Sequence, residues 1–180
     1  MNKNTKILAS AIIGASLLGA SGSVMAATGN LNVEAEVVAA LSIEQVTKLD
    51  FGAFDVASAA IGSTVLVKSD GTGRTPSGGI VLIPADPGSR GEMKITGKPN
   101  LSVTVSSPAG TTTLTSGSDT LTIANADWNY DGLLAGNKCT LDGSTGLCNF
   151  FVGATLKTTA APQPAGEYAN AAVQFSVAYD

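Results

Sequence analysis

The chain has 180 residues, 10 Lys or Arg against 14 Asp or Glu for a formal charge of −4, and no histidine. That acidic balance repels phosphate backbones and anionic lipid and argues against a nucleic-acid partner. Without histidine a Ser-His-Asp triad and a Cys-His pair are excluded, and the remaining acid-base candidates are carboxylates scattered over turns and the solvent phase of strands.

Residues 1–26 read as a secretory signal peptide: a basic start (MNKNTK), an apolar run (ILASAIIGASLLGASGS) and a small-residue cleavage site at Val24-Met25-Ala26. Ser and Gly interrupt the run and no basic stop-transfer flank follows it, unlike a membrane anchor. Removing it leaves 154 residues and, with Lys3 and Lys6 gone, 8 basic against 14 acidic side chains, a charge of about −6. The expected product is exported, through a periplasm to the cell surface.

Residues 27–38 form an extension ahead of the first obvious core strand. Leu31, Val33, Ala35 and Val37 share one phase and Asn32, Glu34 and Glu36 the other, the period-two pattern of an amphipathic strand, with Gly29 at its head. From residue 39 onward the text becomes a series of short strands: LSIEQVTKLDFG, STVLVKS, GIVLIPA, GEMKITGK, LSVTVSS, TTTLTS, DTLTIAN and NFFVGATLKT. Turn-forming clusters separate them, among them ADPGSRG, GKPN, SPAG, SGSD and APQPAG. Only DVASAAIG offers a short piece with helical spacing. The glycine-rich SDGTGRTPSGG lacks the spacing of a phosphate loop and reads as a hairpin connection. This rhythm predicts an all-β fold, an antiparallel β-sandwich over residues 39–180.

Aromatic residues are spaced singly along the strands, as core plugs. Trp128 and Tyr130, in NADWNYDG, have two readings: a face on which sugar rings stack, or packing at the core or its rim. Cys139 and Cys148 are expected to form a disulfide in an oxidising compartment, closing the loop CTLDGSTGLC with a contribution of roughly 2–3 kcal/mol. Their spacing is not CxxC, and neither NADWNYDG nor LDGSTG carries a full calcium-ligand ladder, so no metal and no cofactor is expected.

The last segment, GEYANAAVQFSVAYD, alternates Ala171, Val173, Phe175, Val177 and Tyr179 with Ala172, Gln174, Ser176 and Ala178. It predicts a strand from residue 166 that buries one face and offers a free edge.

A glycine 14 positions before the last residue, apolar alternation and a penultimate tyrosine resemble the C-terminal pattern of chaperone-usher pilins, here Gly166, Val173, Phe175, Val177 and Tyr179. The run PAGEY, ending in Tyr168, is similar to the opening of this strand in several pilin branches, the spore-coat-U-like one included. LDFGAF resembles the element after their first strand, and NLNVEAEVVAALSIEQ is similar in spacing to the donor strand and first strand of alternate-chaperone fimbriae. The landmarks Leu49–Gly52, Thr96–Asn100 and Gly166–Tyr168 also resemble those of a poorly characterised family of secreted bacterial β domains. Many pilins place their disulfide nearer the N-terminal strands, so Cys139 and Cys148 depart from that pattern.

The pilin resemblance implies an immunoglobulin-like sandwich lacking its last strand. In that family a periplasmic chaperone lends the strand, an outer-membrane usher exports the subunit, and the next copy's N-terminal extension replaces the chaperone. The expected function is a structural, non-enzymatic fimbrial subunit serving adhesion or biofilm formation, with an unknown host or surface receptor. The alternative is a self-complemented surface or matrix domain that binds sugar through Trp128 and Tyr130.

Overall fold

The computed structural model describes residues 34–169 and 173–180. The chain divides into two compact units, Met1–Glu36 and Val37–Asp180. The signal peptide expected over residues 1–26 and the donor positions Leu31 and Val33 lie outside the described residues, and the strands among the described residues belong to the unit Val37–Asp180.

The strands in chain order are β1 (Ser42–Thr47), β2 (Phe54–Asp55), β3 (Thr64–Val67), β4 (Arg74–Pro76), β5 (Val81–Leu82), β6 (Gly91–Thr96) and β7 (Ser102–Ser106). They continue with β8 (Thr112–Ser116), β9 (Asp119–Ile123), β10 (Trp128–Asp131), β11 (Lys138–Thr140), β12 (Leu147–Thr158) and β13 (Ser176–Tyr179). Among the described residues the only helical element is a 3-10 turn, Asn125–Asp127. After Asp55, which ends β2, DVASAAIG forms turns, one of them closed by the Ala59 N–H on the Val56 carbonyl at 2.9 Å.

β12 is the spine. Cys148, Phe150, Val152, Ala154, Leu156 and Thr158 are buried at every second position, the pattern of a strand with one face in the core. β12 pairs antiparallel with β6, β10, β3 and β9 along its length. β1 extends the sheet beyond β6, β4 beyond β3 and β8 beyond β9. A three-stranded sheet, β11-β7-β13, lies across from it. Val103 and Val105 of β7 and Cys139 of β11 pack there with Ile95, Phe150 and Val152. A further cluster joins Phe51, Val65, Val67, Leu121, Ile123, Ala154 and Leu156. The fold is thus an all-β antiparallel sandwich, as the strand rhythm predicts, and each large buried side chain contributes roughly 1.5–3 kcal/mol.

Local chemistry explains the sharper corners. The β8–β9 hairpin closes on Gly117-Ser118, with Gly117 at φ +61°, the positive dihedral that a two-residue hairpin loop requires. In LDFG, Phe51 is buried and Gly52 sits at φ +60°. A Cβ there would lie 2.4 Å from the Asp86 carbonyl and 2.7 Å from the Arg74 guanidinium.

Several elements differ from the expectation, among them β2 and β11, which none of the expected strands covers. SDGTGRTPSGG, read as connection alone, contains β4. NADWNYDG contains β10, although its Asn and Asp residues disfavour strands. Among the described residues, the C-terminal strand expected from residue 166 is laddered only over Ser176–Tyr179. The chain ahead of it is engaged elsewhere: Ala169 bridges Thr115 of β8, and Gln163 donates to the Thr120 carbonyl at 3.1 Å.

Candidate functional site

β1 and β13 are each hydrogen-bonded to a neighbour along one edge only, β1 to β6 and β13 to β7, among the described residues. Toward the C-terminal end of β1 and the residues leading into β13, the sandwich opens into a cleft of about 930 Å³. Gln45, Thr47 and Leu49–Val56 form one wall, Gln163–Ala169 with Val173 and Phe175 another. Met93, Leu121, Ile123, Trp128, Val152 and Leu156 also line it. These apolar residues come from β6, β9, β10 and β12, so the cleft opens onto the core itself.

Of the residues expected to form the C-terminal pairing strand, Gly166, Tyr168, Val173 and Phe175 line this cleft. The Tyr168 hydroxyl donates to the Pro164 carbonyl at 2.7 Å and accepts from the Gln163 amide at 3.0 Å, which holds the 163–168 wall in place. Val177 and Tyr179 lie on β13, half-buried against the cluster around Phe150. The Tyr179 hydroxyl contacts the backbone at Ala39 and Lys98. Of the donor positions, Ala35 and Val37 are described, and both are exposed, Val37 at 94 %.

Trp128 meets Phe175 edge-on, centroids 5.5 Å apart, and packs against both core clusters. Its indole N–H is buried and has no hydrogen-bond partner among the described residues. Tyr130 sits edge-on to Phe150 and Phe175 at 6.3 Å from each, and its hydroxyl donates to Ser107 Oγ at 2.6 Å. Burial raises the Tyr130 phenol above its ordinary value. Both rings are half-buried and turned onto Phe175. The Cys139–Cys148 disulfide is formed, tying β11 of the small sheet to the spine, and it fits an oxidising, extracytoplasmic compartment.

The cleft's rim is polar. Lys48 Nζ stands 2.7 Å from Asp50 Oδ2. The hydrogen bond with Lys48 and the Gly52 N–H hold the Asp50 carboxyl below its ordinary range, while Asp50 raises Lys48. Arg74 clamps the wall behind: its two terminal nitrogens donate to the carbonyls of Phe51 (2.5 Å), Ala53 (3.1 Å), Ile83 (3.2 Å) and Asp86 (2.8 Å). An apolar interior flanked by unpaired strand edges is suited to receiving an extended segment with alternating apolar side chains.

Sequence reasoning passed over Arg74, Met93, Leu49 and Gln163 as parts of this site. The pre-strand position of Leu49 and the proline cluster around Gln163 were the available signals, and neither names a partner.

Residues 41–179 match the family described as "Domain of unknown function (DUF4402)", and the chain belongs to it. Among curated proteins and among solved structures, none matches the chain.

Proposed function

We propose that this DUF4402-family chain is a structural subunit of a surface fimbria, assembled by donor-strand complementation and serving adhesion or biofilm formation. The observation that carries this reading is the apolar cleft beside the open edges of β1 and β13, in a chain whose Val37 is exposed. The occupant is residues 27–38 of a second copy. Leu31, Val33, Ala35 and Val37 would enter the cleft, while the donor backbone pairs with the open edges.

Each large side chain so buried would contribute roughly 1.5–3 kcal/mol, besides the ladder hydrogen bonds. Because the contact is head-to-tail and need not close, repetition builds a fibre. Before assembly the open edges and apolar cleft are an aggregation hazard. A periplasmic chaperone that lends a strand and an outer-membrane usher that exports the subunit fit that requirement.

The test is deletion of residues 27–38 from the exported chain. The intact protein is expected to run as a detergent-resistant ladder on unheated denaturing gels and the deletion variant as a monomer. A variant that polymerises as before would show that another segment is the donor.

A further inference from the structure

The sheet built on β12 carries a second, polar groove of about 390 Å³ on its outer face. Val65, Val67, Ala154 and Leu156 are buried, so the alternating positions Leu66, Lys68 and Thr155 face outward and line it. Asp127 of the 3-10 turn and Asn129 of β10 close its side.

This corner is built against local preference. Asn129 stands in a strand, where Asn is depleted, and Gly153, paired with it, weakens the middle of β12. The Asn129 side-chain oxygen accepts from the Ser69 N–H at 2.8 Å, and a Cβ at 153 would lie 2.5 Å from that oxygen and 2.7 Å from that nitrogen. On its other side Ser69 is held by Arg90, whose guanidinium donates to the Ser69 carbonyl at 2.7 Å. Ser69 is 7 % exposed, yet its hydroxyl has no hydrogen-bond partner among the described residues. Trp128 Nε1 is the one fully buried polar side-chain atom without a partner among those residues, so the Ser69 hydroxyl keeps an opening to the groove that Ser69 lines. Positions that break local preference in order to hold a polar group in place are where function is expected to lie.

Other polar groups of the groove are free to meet a ligand. The Lys68 ammonium and the Thr155 hydroxyl make no hydrogen bond or ion pair among the described residues. Asp127 engages Lys157 and the Ala124 N–H through Oδ2, and Asp70 engages Thr72 through Oδ1, which leaves one oxygen of each carboxylate. Donors and acceptors side by side match hydroxyl groups, which donate and accept at once. An anion would meet two carboxylates and a single unpaired ammonium, and is disfavoured.

We propose that this groove is a binding site for a neutral sugar, held by the Ser69 and Thr155 hydroxyls, Lys68 and the free oxygens of Asp70 and Asp127. Its volume falls within the range of about 300–1,000 Å³ usual for small-ligand sites. The Trp128 ring takes no part, since it is turned onto Phe175. The site stands whether or not strands are exchanged between copies, and it supplies adhesion with a ligand class.

The experiment applies the full exported chain to an array of neutral and acidic glycans and follows the strongest binder by titration in solution. A neutral glycan is expected to lead. Ser69→Ala, which removes only the hydroxyl, and Thr155→Val, which keeps the shape, are each expected to weaken its binding about tenfold, the effect of one hydrogen bond of ordinary strength. Their melting temperatures are expected to equal the parent's, because neither hydroxyl has a partner in the protein. No binding on the array, or binding led by acidic glycans, overturns the proposal. So does a neutral glycan whose affinity both variants retain within twofold, because it then sits elsewhere. Affinity that falls only in step with melting temperature also counts against the site, since it marks a structural role.

Discussion

The indole of Trp128 and the ring of Phe175 meet edge-on, 5.5 Å between centroids and 82° between planes, at the point where the lead-in to β13 crosses the cleft. Such a pair is worth about 0.5–1.5 kcal/mol beyond the area it buries. It joins the residue just ahead of β13 to a residue that touches both core clusters.

Replacing Phe175 therefore tests the cleft directly. Phe175→Ala removes the edge contact to Trp128 and the one to Tyr130. Because Phe175 is half-buried, the expected loss is about 2 kcal/mol, below the range for a fully buried ring. Trp128 is the chain's one tryptophan, so its emission reports the site alone and is expected to shift to longer wavelength as water reaches it.

Arg74 holds four backbone carbonyls in two loops, at Phe51, Ala53, Ile83 and Asp86. Arg74→Met is expected to lower stability by about 2 kcal/mol in denaturant unfolding, because hydrogen bonds to a charged donor are lost, although the carbonyls of Ala53, Ile83 and Asp86 each keep a backbone N–H partner. Arg74→Lys should recover less than half of that, since a single ammonium cannot reproduce the planar fork. Full recovery by Lys would mean that the charge and not the fork holds the loops.

The Cys139–Cys148 bridge closes a loop of sequence separation 9. Replacing both cysteines with Ala is expected to cost about 2–3 kcal/mol, through the greater freedom of the unfolded chain. Reductant should lower the melting temperature of the parent and leave that of the double variant unchanged.

Asp180 accepts hydrogen bonds from the hydroxyl of Thr104 and from Lys138 Nζ at 2.9 Å, linking β13 to β7 and β11. Thr104, Lys138 and Ser102 lower its pKa from 3.8 to about 2. A depressed folded pKa stabilises the native state in full above the unfolded value, and the benefit is lost as pH falls through the folded one. Between about pH 4 and pH 2 the parent should lose melting temperature more steeply than Asp180→Asn. Asp142, also held well below the ordinary range by Ser144 and Thr145, titrates alike in both proteins and cancels from the comparison. Parallel curves would show that the Asp180 cluster adds nothing to stability.

Alternation of apolar side chains in LSVTVSS, DTLTIAN and NFFVGATLKT was enough to place β7, β9 and most of β12 and to fix which face each would bury, because that signal is local. The same holds for the Gly117 turn and for the cysteine pair, whose spacing and compartment argue for a bridge. β10 was hidden, because Asn129 is held in its strand by contacts that only the fold creates. Its side-chain oxygen accepts from the Ser69 N–H at 2.8 Å, a residue 60 positions away, over Gly153, where a Cβ would lie 2.5 Å from that oxygen. The cleft was hidden for the same reason. Its walls come from residues 45–56, 91–93, 112–128 and 152–175, and nothing in the text of any one of them names the others. The sequence by itself determined which residues seek burial and where the chain turns, whereas the tertiary structure decided which strands pair and where pairing stops. Periodicity sets a strand's preference for one face. The choice of neighbour depends on closing long loops and fitting side chains from distant segments at once, and that information is not written in any single window of the chain.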